Sequence, residues 1–477
     1  MEKKYRPHPL EIFNNIWQVI YLLLIPVVRG LLLALQGNFT VWLAGAWKDV
    51  FILVLIGLIA VLKWYNCTIS INNEVLSVNS GLFYKRDKVI PLRNLCTISK
   101  SDNIFYKQFK VASVTCDTSA GKSKGIEFRM KVGYELAEKI FCSMKDSNMQ
   151  SNNLIRSYTP KNIYVILLAA ITSNSLTGIL LLAAFVSQAG KILGEQFADR
   201  LYGTFEIWTR ALAFGLPPAA AGLGYIVIIG WLYTFCLNLL RHQRFEVTRK
   251  QQMLLIRYGV IIQRNYSIDT QKINYMDIRQ TLYTKLLGLS SVFLNTFGYG
   301  KETDDISALI PAASQKQLQN SIKMLLPKFV QAEITLRPSK RSLTRFMWNP
   351  LVVIAAIISA SLVGVIALPE WKELIGWLCL MGVIPTLWFL TVRIIDRFTG
   401  GIGITKECIT VKYSKGFSFH TVVIPLQKIA MVRSVQSVFQ IKNKSCDLYI
   451  YSYSESIKQH RIRNISTENA KAIIKAI

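Results

Sequence analysis

The stretch GLFYKRDKVIPLRNL, residues 81–95, decides how the chain is read. It follows an alternating run, VLSVNS, and ends in an Ile-Pro step, the pattern of a half-buried strand leading into a turn. Two later stretches repeat it: GVIIQRNYSIDTQKI from Gly259 and GFSFHTVVIPLQKI from Gly416. Counted from its glycine, the first copy carries Arg86, Ile90 and Leu95 at offsets five, nine and fourteen, and the second carries Arg264, Ile268 and Ile273 at the same offsets. The third is one residue shorter and places Ile424 and Ile429 at eight and thirteen. A register kept across distant copies marks one repeated module rather than shared composition.

The flanks repeat as well. WYNCTISIN and VLSVNSGLF alternate on either side of Asn72-Asn73, which reads as a hairpin, and RFEVTRKQQMLLIRYGVII and IGITKECITVKYSKGFSF follow the same plan. Each copy closes with a candidate amphipathic helix. The faces are Leu136, Ile140, Phe141 and Met144; then Leu318, Ile322 and Leu325 behind a Ser314 to Gln317 capping box; then Ala470, Ile473, Ile474 and Ile477. A small barrel or sandwich plugged by one helix is expected three times.

The remaining sequence is apolar. A hydrophobic share of 51% with 18% charged residues and a mean hydropathy of +0.31 are ordinary for a membrane protein with polar modules. Hydrophobic segments run in pairs: about Ile16–Leu35 and Trp47–Trp64, Ile163–Ser187 and Pro218–Leu240, Pro350–Leu368 and Leu374–Val392. Each approaches the ~20 residues a helix needs to cross roughly 30 Å of hydrocarbon. The tryptophans lie in or beside these segments and their joining loops, as interfacial belts require. The expected fold class is a polytopic α-helical membrane protein with six transmembrane helices in three pairs and three small β-rich domains, each capped by a C-terminal helix. The expected divisions are 1–63, 64–148, 160–240, 241–330, 346–396 and 397–477, helix pair and β domain in turn.

The formal net charge is +28, and nearly all of it sits in the three polar blocks. Such blocks favour a polyanion, first of all anionic lipid headgroups at about 1 kcal/mol per well-placed Lys or Arg; no nucleic-acid reading motif is present. Lys3, Lys4, Arg6, Lys63, Lys161, Arg241, Arg244, Arg341, Arg345, Arg393 and Arg397 flank the segments on one side, while the links 36–46 and 369–373 together hold only Lys372. The positive-inside rule then places both termini and all three polar blocks in the cytoplasm at the plasma membrane. Lys3 and Lys4 precede a run that continues for a full span without a small-residue cleavage site, so the first segment is expected to remain as an anchor. The eight cysteines form no C-x-x-C pair and read as reduced, mostly buried thiols.

The arrangement of alternating strand, L-x-V-x-x-G-L-F, basic pair and I-P-x-x-x-[LI] directly after a helix pair resembles the bacterial pleckstrin-homology-like (bPH2) domain of YdbT-like membrane proteins, formerly a domain of unknown function. Arg6-Pro7-His8-Pro9-Leu10 is similar to that family's lead-in. The second copy departs from the pattern at Asp269, where a proline is expected, and the third has Gly416-Phe417-Ser418-Phe419-His420 in place of the basic pair. The resemblance implies a PH-like fold, a membrane location, and assembly with a smaller one-domain relative or with itself.

Candidate contacts with anionic headgroups are Lys85, Arg86, Lys88 and Arg93, with Arg264 and Lys272 in the second copy. Arg29 and Asn174 are intramembrane polar candidates; an ionisable group at membrane depth costs about 2.5 kcal/mol or more, and the Thr172–Thr177 cluster suits interhelical hydrogen bonds. Gly121-Lys122-Ser123-Lys124-Gly125 matches G-x-S-x-G but sits in a polar turn between strand-like runs rather than at a strand-to-helix elbow. The four histidines lack metal-ligand spacing, and no Walker loop or dinucleotide fingerprint occurs. No catalytic residue, metal or cofactor is expected. The chain reads as a binding or scaffold element at the inner face, with envelope protection as a setting; the rival is a transporter or exporter component whose helix pairs form the path.

Overall fold

In the computed structural model, which describes residues 4–19, 39–72, 74–82, 84–119, 128–146, 155–173, 203–204, 207, 218–299, 307–339, 343–454 and 458–476, the repeat is visible element by element. The first copy runs β1 (Lys4–Tyr5), α1 (Glu11–Val19), α2 (Phe39–Tyr65), β2 (Thr68–Ile71), β3 (Val75–Ser80), β4 (Arg86–Pro91), β5 (Leu95–Asn103), β6 (Val111–Thr118), β7 (Phe128–Gly133) and α3 (Tyr134–Asp146). The second runs β8 (Ile155–Tyr158), α4 (Asn162–Thr172), α5 (Pro218–His242), β9 (Glu246–Lys250), β10 (Met253–Tyr258), β11 (Ile262–Asp269), β12 (Tyr275–Thr281), β13 (Leu289–Asn295), β14 (Ala308–Ser314) and α6 (Gln315–Leu325). The third runs α7 (Leu343–Ala367), α8 (Lys372–Thr399), β15 (Gly401–Ile404), β16 (Cys408–Lys415), β17 (Ser418–Pro425), β18 (Ile429–Val435), β19 (Ser445–Ser452), β20 (Lys458–Ser466) and α9 (Thr467–Ala476).

The repeated motif has a backbone cause. Its Ile-Pro or Ile-Asp step ends β4, β11 and β17, and in each copy a 3₁₀ turn follows: Leu92–Asn94, Thr270–Lys272 and Leu426–Lys428. Its glycine has positive φ in all three copies, 141° at Gly81, 98° at Gly259 and 59° at Gly416, a region where a side chain is strained. At Gly81 a Cβ would also stand 1.9 Å from the Tyr84 carbonyl oxygen.

The chain forms two units. One comprises residues 1–155, 249–257 and 261–272. Its sheets run β1-β2-β3-β4 and, in part, β7-β6-β5-β11-β10. Their apolar faces share one core with α3, built around Ile69, Leu76, Leu95, Ile98, Val114 and Ile140, which Met253 of β10 joins. The other unit comprises residues 156–248, 258–260 and 273–477. Its sheets run β14-β13-β12-β17-β16-β15 and β18-β19-β20, and Ile409, Val422, Leu448, Ile450, Ile462 and Ile473 form the core of the third module, joined by Tyr275 of β12.

Strand pairing therefore crosses from one repeat to the next. Antiparallel β5 and β11 place Thr97 opposite Ile268, and antiparallel β12 and β17 place Met276 opposite Val423. Divisions drawn in chain order do not mark where the sheets stop, because period-two alternation states which face of a strand is buried and not which strand lies beside it.

One expectation needs correction. The Ser314 to Gln317 capping box does not form: Ser314 makes no side-chain cap bond, and Gln317 Oε1 instead accepts from the Tyr164 hydroxyl at 3.1 Å. Of the six expected spans, three are seen among the described residues as helices long and apolar enough to cross a membrane, Gly224–His242, Leu343–Ala367 and Pro369–Thr399, with Val50–Tyr65 a shorter apolar stretch. The parts of the first and third segments beyond Val19 and Ser173 lie outside the described residues. Helix α7 begins seven residues before the expected Pro350 and carries that proline inside it. Ile366, Val363 and Leu362 project largely exposed from it, a surface that water would not tolerate and lipid would.

The β12–β17 seam holds a buried polar network. Asp277 accepts from Arg279 Nε at 2.6 Å and from His420 Nδ1 at 3.0 Å. Burial alone would push its carboxyl up, but the hydrogen bond and charge of His420, with Arg279, outweigh that and hold it below the usual range. Tyr413 stacks on His420 with centroids 5.4 Å apart, and its hydroxyl meets His460 Nδ1 at 3.0 Å. Ser452 Oγ meets the other ring nitrogen at 3.1 Å. Burial lowers the His460 pKa to about 4, against the pull of the Asp277 charge. A histidine lowered on folding stabilises fully above its unfolded value near 6.5 and loses that contribution as pH falls toward 4. The full chain in detergent should thus lose on the order of 3 kcal/mol across that window, read as a falling unfolding midpoint, and His460→Asn should flatten the dependence. Truncating a core side chain, as in Ile98→Ala or Ile450→Ala, should cost about 2–5 kcal/mol in the same measurement, whereas Val89→Ala at an exposed edge should change it little.

Candidate functional site

The basic residues singled out in the first two copies all fall in the first unit. Lys85 lies in the turn before β4, Arg86 and Lys88 on β4, and Arg93 in the 3₁₀ turn after it, all exposed. Arg86 and Lys88 share one side of the strand with the core residue Ile90, but β4 before Ile90 is exposed throughout, so the strand that feeds the core at one end presents cations at the other. Arg264 is half-buried on β11, opposite Ser101, about 20 Å along β5 from Leu95 at ~3.3 Å per residue. Lys272 is engaged: its ammonium donates to the Arg93 carbonyl, to the Leu95 carbonyl at 2.8 Å, and lies 3.9 Å from Asp269. It clamps the 3₁₀ turn of the first repeat and is not presented to a ligand. The structure thus joins Lys272 to Arg93, while Arg264 stands apart from them.

Arg29, Asn174 and the 121–125 loop lie outside the described residues. Ser173, next to Asn174, accepts from Asn238 Nδ2 of α5 at 3.4 Å. All eight cysteines are free.

A second cationic site lies in the other unit and was not legible in the sequence. Helix α8 continues past its apolar stretch to Thr399, so Arg393 and Asp396 occupy its last turns. There a cavity of about 170 Å³ opens between the helix end, the start of α7, β16 and β20, lined by Arg393, Lys412, Lys415, Arg461 and Arg463 with Asp396 as the one carboxylate. Arg393 Nη1 donates to the Ser414 carbonyl at 3.1 Å and to Ser414 Oγ at 3.0 Å, and Ser414 Oγ donates to Asp396 at 2.8 Å, which fixes the cavity floor. Asp447 holds Arg461 at 2.7 Å. Asp447 also accepts from the Asn464 amide at 2.9 Å and from Gln440 at 2.7 Å, which anchors this corner of β20.

Lys412 and Arg463 are half-buried in the wall. Burial, then the Arg337 charge, lowers the Lys412 pKa; burial, then the Arg461 charge, lowers that of Arg463. Burial sets both directions first, and neighbouring cations add to it, a site where a bound anion would offset part of the cost. The volume suits a small anionic group and falls short of the about 300 Å³ at which pockets for larger organic ligands begin. A wider cavity of about 720 Å³ shares Lys412 and is lined also by Lys323, Arg337, Phe329 and Phe398. No spacing rule could find this site, since Arg393 and Arg463 lie far apart in the chain; the one local signal is Arg461-x-Arg463, two cations on one face of a strand.

The Bacterial PH domain family model matches residues 21–147, 211–325 and 351–477, so each match includes apolar sequence ahead of its β module. The chain is 22% identical over 516 residues to the UPF0699 transmembrane protein YdbT of Bacillus subtilis (strain 168), covering 100% of this chain and 98% of that protein. No solved structure matches.

Removing the two wall cations should cost little in the fold. In uncharged detergent, Lys412→Gln with Arg463→Gln should unfold at a temperature no lower than the unsubstituted chain, because burial and like charge already disfavour both cations. Added inorganic phosphate should raise the unfolding temperature of the unsubstituted chain and lose most of that effect in the double variant.

Proposed function

The chain belongs to the bacterial PH domain family, and from that premise we propose that it is a membrane-anchored repeat protein whose three modules serve as binding or scaffold elements at the inner face of the plasma membrane. The observation that carries this reading is the cationic cavity at the end of α8. A helix that crosses with its apolar stretch Leu374–Val392 reaches the headgroup layer at Arg393, and there the cavity's remaining cations gather. Cations held at that level need little intrinsic affinity for anionic headgroups, because the anchor keeps them within the Debye length of the charged surface.

The six segments cross as three pairs in this reading. Support comes from the packing of α1 along α2, α4 along α5 and α7 along α8, each pair leading directly into a β module. The cations Lys63, Arg241, Arg393 and Arg397 stand at the module-side ends of α2, α5 and α8, while the turn joining α7 to α8 carries Glu370 and Glu373 beside Lys372. That asymmetry supports a cytoplasmic side for the modules and both termini, where free thiols persist. Exposed Lys85, Arg86, Lys88 and Arg93 add a second region of contact with anionic lipid.

Topology reporters test the reading. Green fluorescent protein fused after Ile477 should fluoresce, and alkaline phosphatase inserted between Pro369 and Glu373 should be active; the opposite pattern removes the modules from the inner face.

A further inference from the structure

The two seams share one register. Thr97, two residues past Leu95, faces Ile268; Met276, three past Ile273, faces Val423, one before Ile424. In each case the strand after the 3₁₀ turn of one repeat pairs with the strand before the 3₁₀ turn of the next. The series leaves two ends. β18 is the third copy of the strand that β5 and β12 supply, and β4 is the first copy of the strand that β11 and β17 supply; among the described residues both are outer strands of their sheets.

Exposure follows the pairing. Thr97 is 2% and Tyr275 4% exposed, but Met431 at the same repeat position is 49% exposed. Across the seam Ser267 is 1% and Val423 0% exposed, but Val89 at the same position is 63% exposed. Val435 and, just beyond β18, Val438 and Ile441 extend the open apolar edge. Such an edge presents unpaired backbone donors and acceptors and is a template for another strand.

We infer that a second copy of this chain covers it: β18 of one molecule pairs antiparallel with β4 of the next, continuing between molecules the seam that each molecule makes twice within itself. The inference rests on the reading of the chain as membrane-anchored, since anchored copies meet side by side. A second copy is the fitting occupant because the chain carries both halves of the seam. The shared register sets Met431 opposite Ile90, Val432 opposite Val89, Arg433 opposite Lys88 and Ser434 opposite Asp87. The contact is heterologous, so it builds rows unless the rotation closes a ring. Arg433 against Lys88 is a like-charge pair that salt screens, so association strengthens as salt is raised.

Cross-linking of the full chain in vesicles tests this, with Cys142, Cys236 and Cys379 replaced by serine. Facing residues in an antiparallel pair have Cα atoms about 4.5–5.5 Å apart, within disulfide reach. On mild oxidation Lys88→Cys with Arg433→Cys in one chain should give a ladder of dimers and higher multiples, and the two single variants mixed should stop at dimers. Lys88→Cys with Val435→Cys, out of register by two, should link poorly. As a cysteine-free measure, Lys88→Glu should increase association and Lys88→Glu with Arg433→Glu should return it. The inference is overturned if the double cysteine variant stays monomeric, if Lys88→Cys alone dimerises as readily, or if Arg433→Cys in native membranes is captured by a different protein rather than a second copy. Vesicle cross-linking reads strand pairing whichever face the modules occupy, whereas the fusion reporters read the face alone, so the two failures are distinct.

Discussion

The backbone of a strand must pair on both sides or be shielded, and much of this architecture answers to that requirement. A small β module has two sheets and therefore several edges, each a row of donors and acceptors. Here the modules meet edge to edge, β5 with β11 and β12 with β17. Each seam satisfies a ladder of backbone groups and buries the side chains flanking it. Repetition then has a physical use beyond copy number, because the same strand position that ends one module supplies the edge for the next.

The seams differ in chemistry while sharing geometry. In the first, Lys272 of the second repeat donates to carbonyls of the first repeat's 3₁₀ turn, and Met253 reaches that repeat's core. In the second, a buried carboxylate, two histidines and a tyrosine lie beneath the paired strands. A buried charge survives only when paired and hydrogen-bonded, and Asp277 has both Arg279 and His420. The geometry is common to both seams because the backbone register is; the side chains that fill it are free to diverge.

Positive charge is also placed by the fold and not merely accumulated. The first repeat displays its basic cluster on a strand end, in the open. The third repeat lacks the basic pair at the corresponding position, with Phe419 and His420 there instead, yet it assembles a denser group of cations from α8, β16 and β20. Ser414, itself held by Asp396, fixes Arg393 by hydrogen bonds, so that charge has a defined place at the foot of an apolar helix. Like charges crowd there because the same elements that bring the helix end down to the sheet also bring the strand cations up to it.

What the sequence determined by itself was everything carried by local period and backbone chemistry. The Gly81, Gly259 and Gly416 series marked the repeated module, the alternation around Ile90 and Ile424 marked strands, the closing apolar faces of α3, α6 and α9 marked helices, and unbroken apolar length marked α7 and α8. Each is a property of a few consecutive residues. The pairing of repeat with repeat, the role of Lys272 as a clamp, the diversion of Gln317 to Tyr164 and the meeting of Arg393 with Arg463 were decided by tertiary structure alone. Strand neighbours are chosen by which edges meet in space, and a one-dimensional pattern that sorts side chains into inward and outward carries no term for the partner.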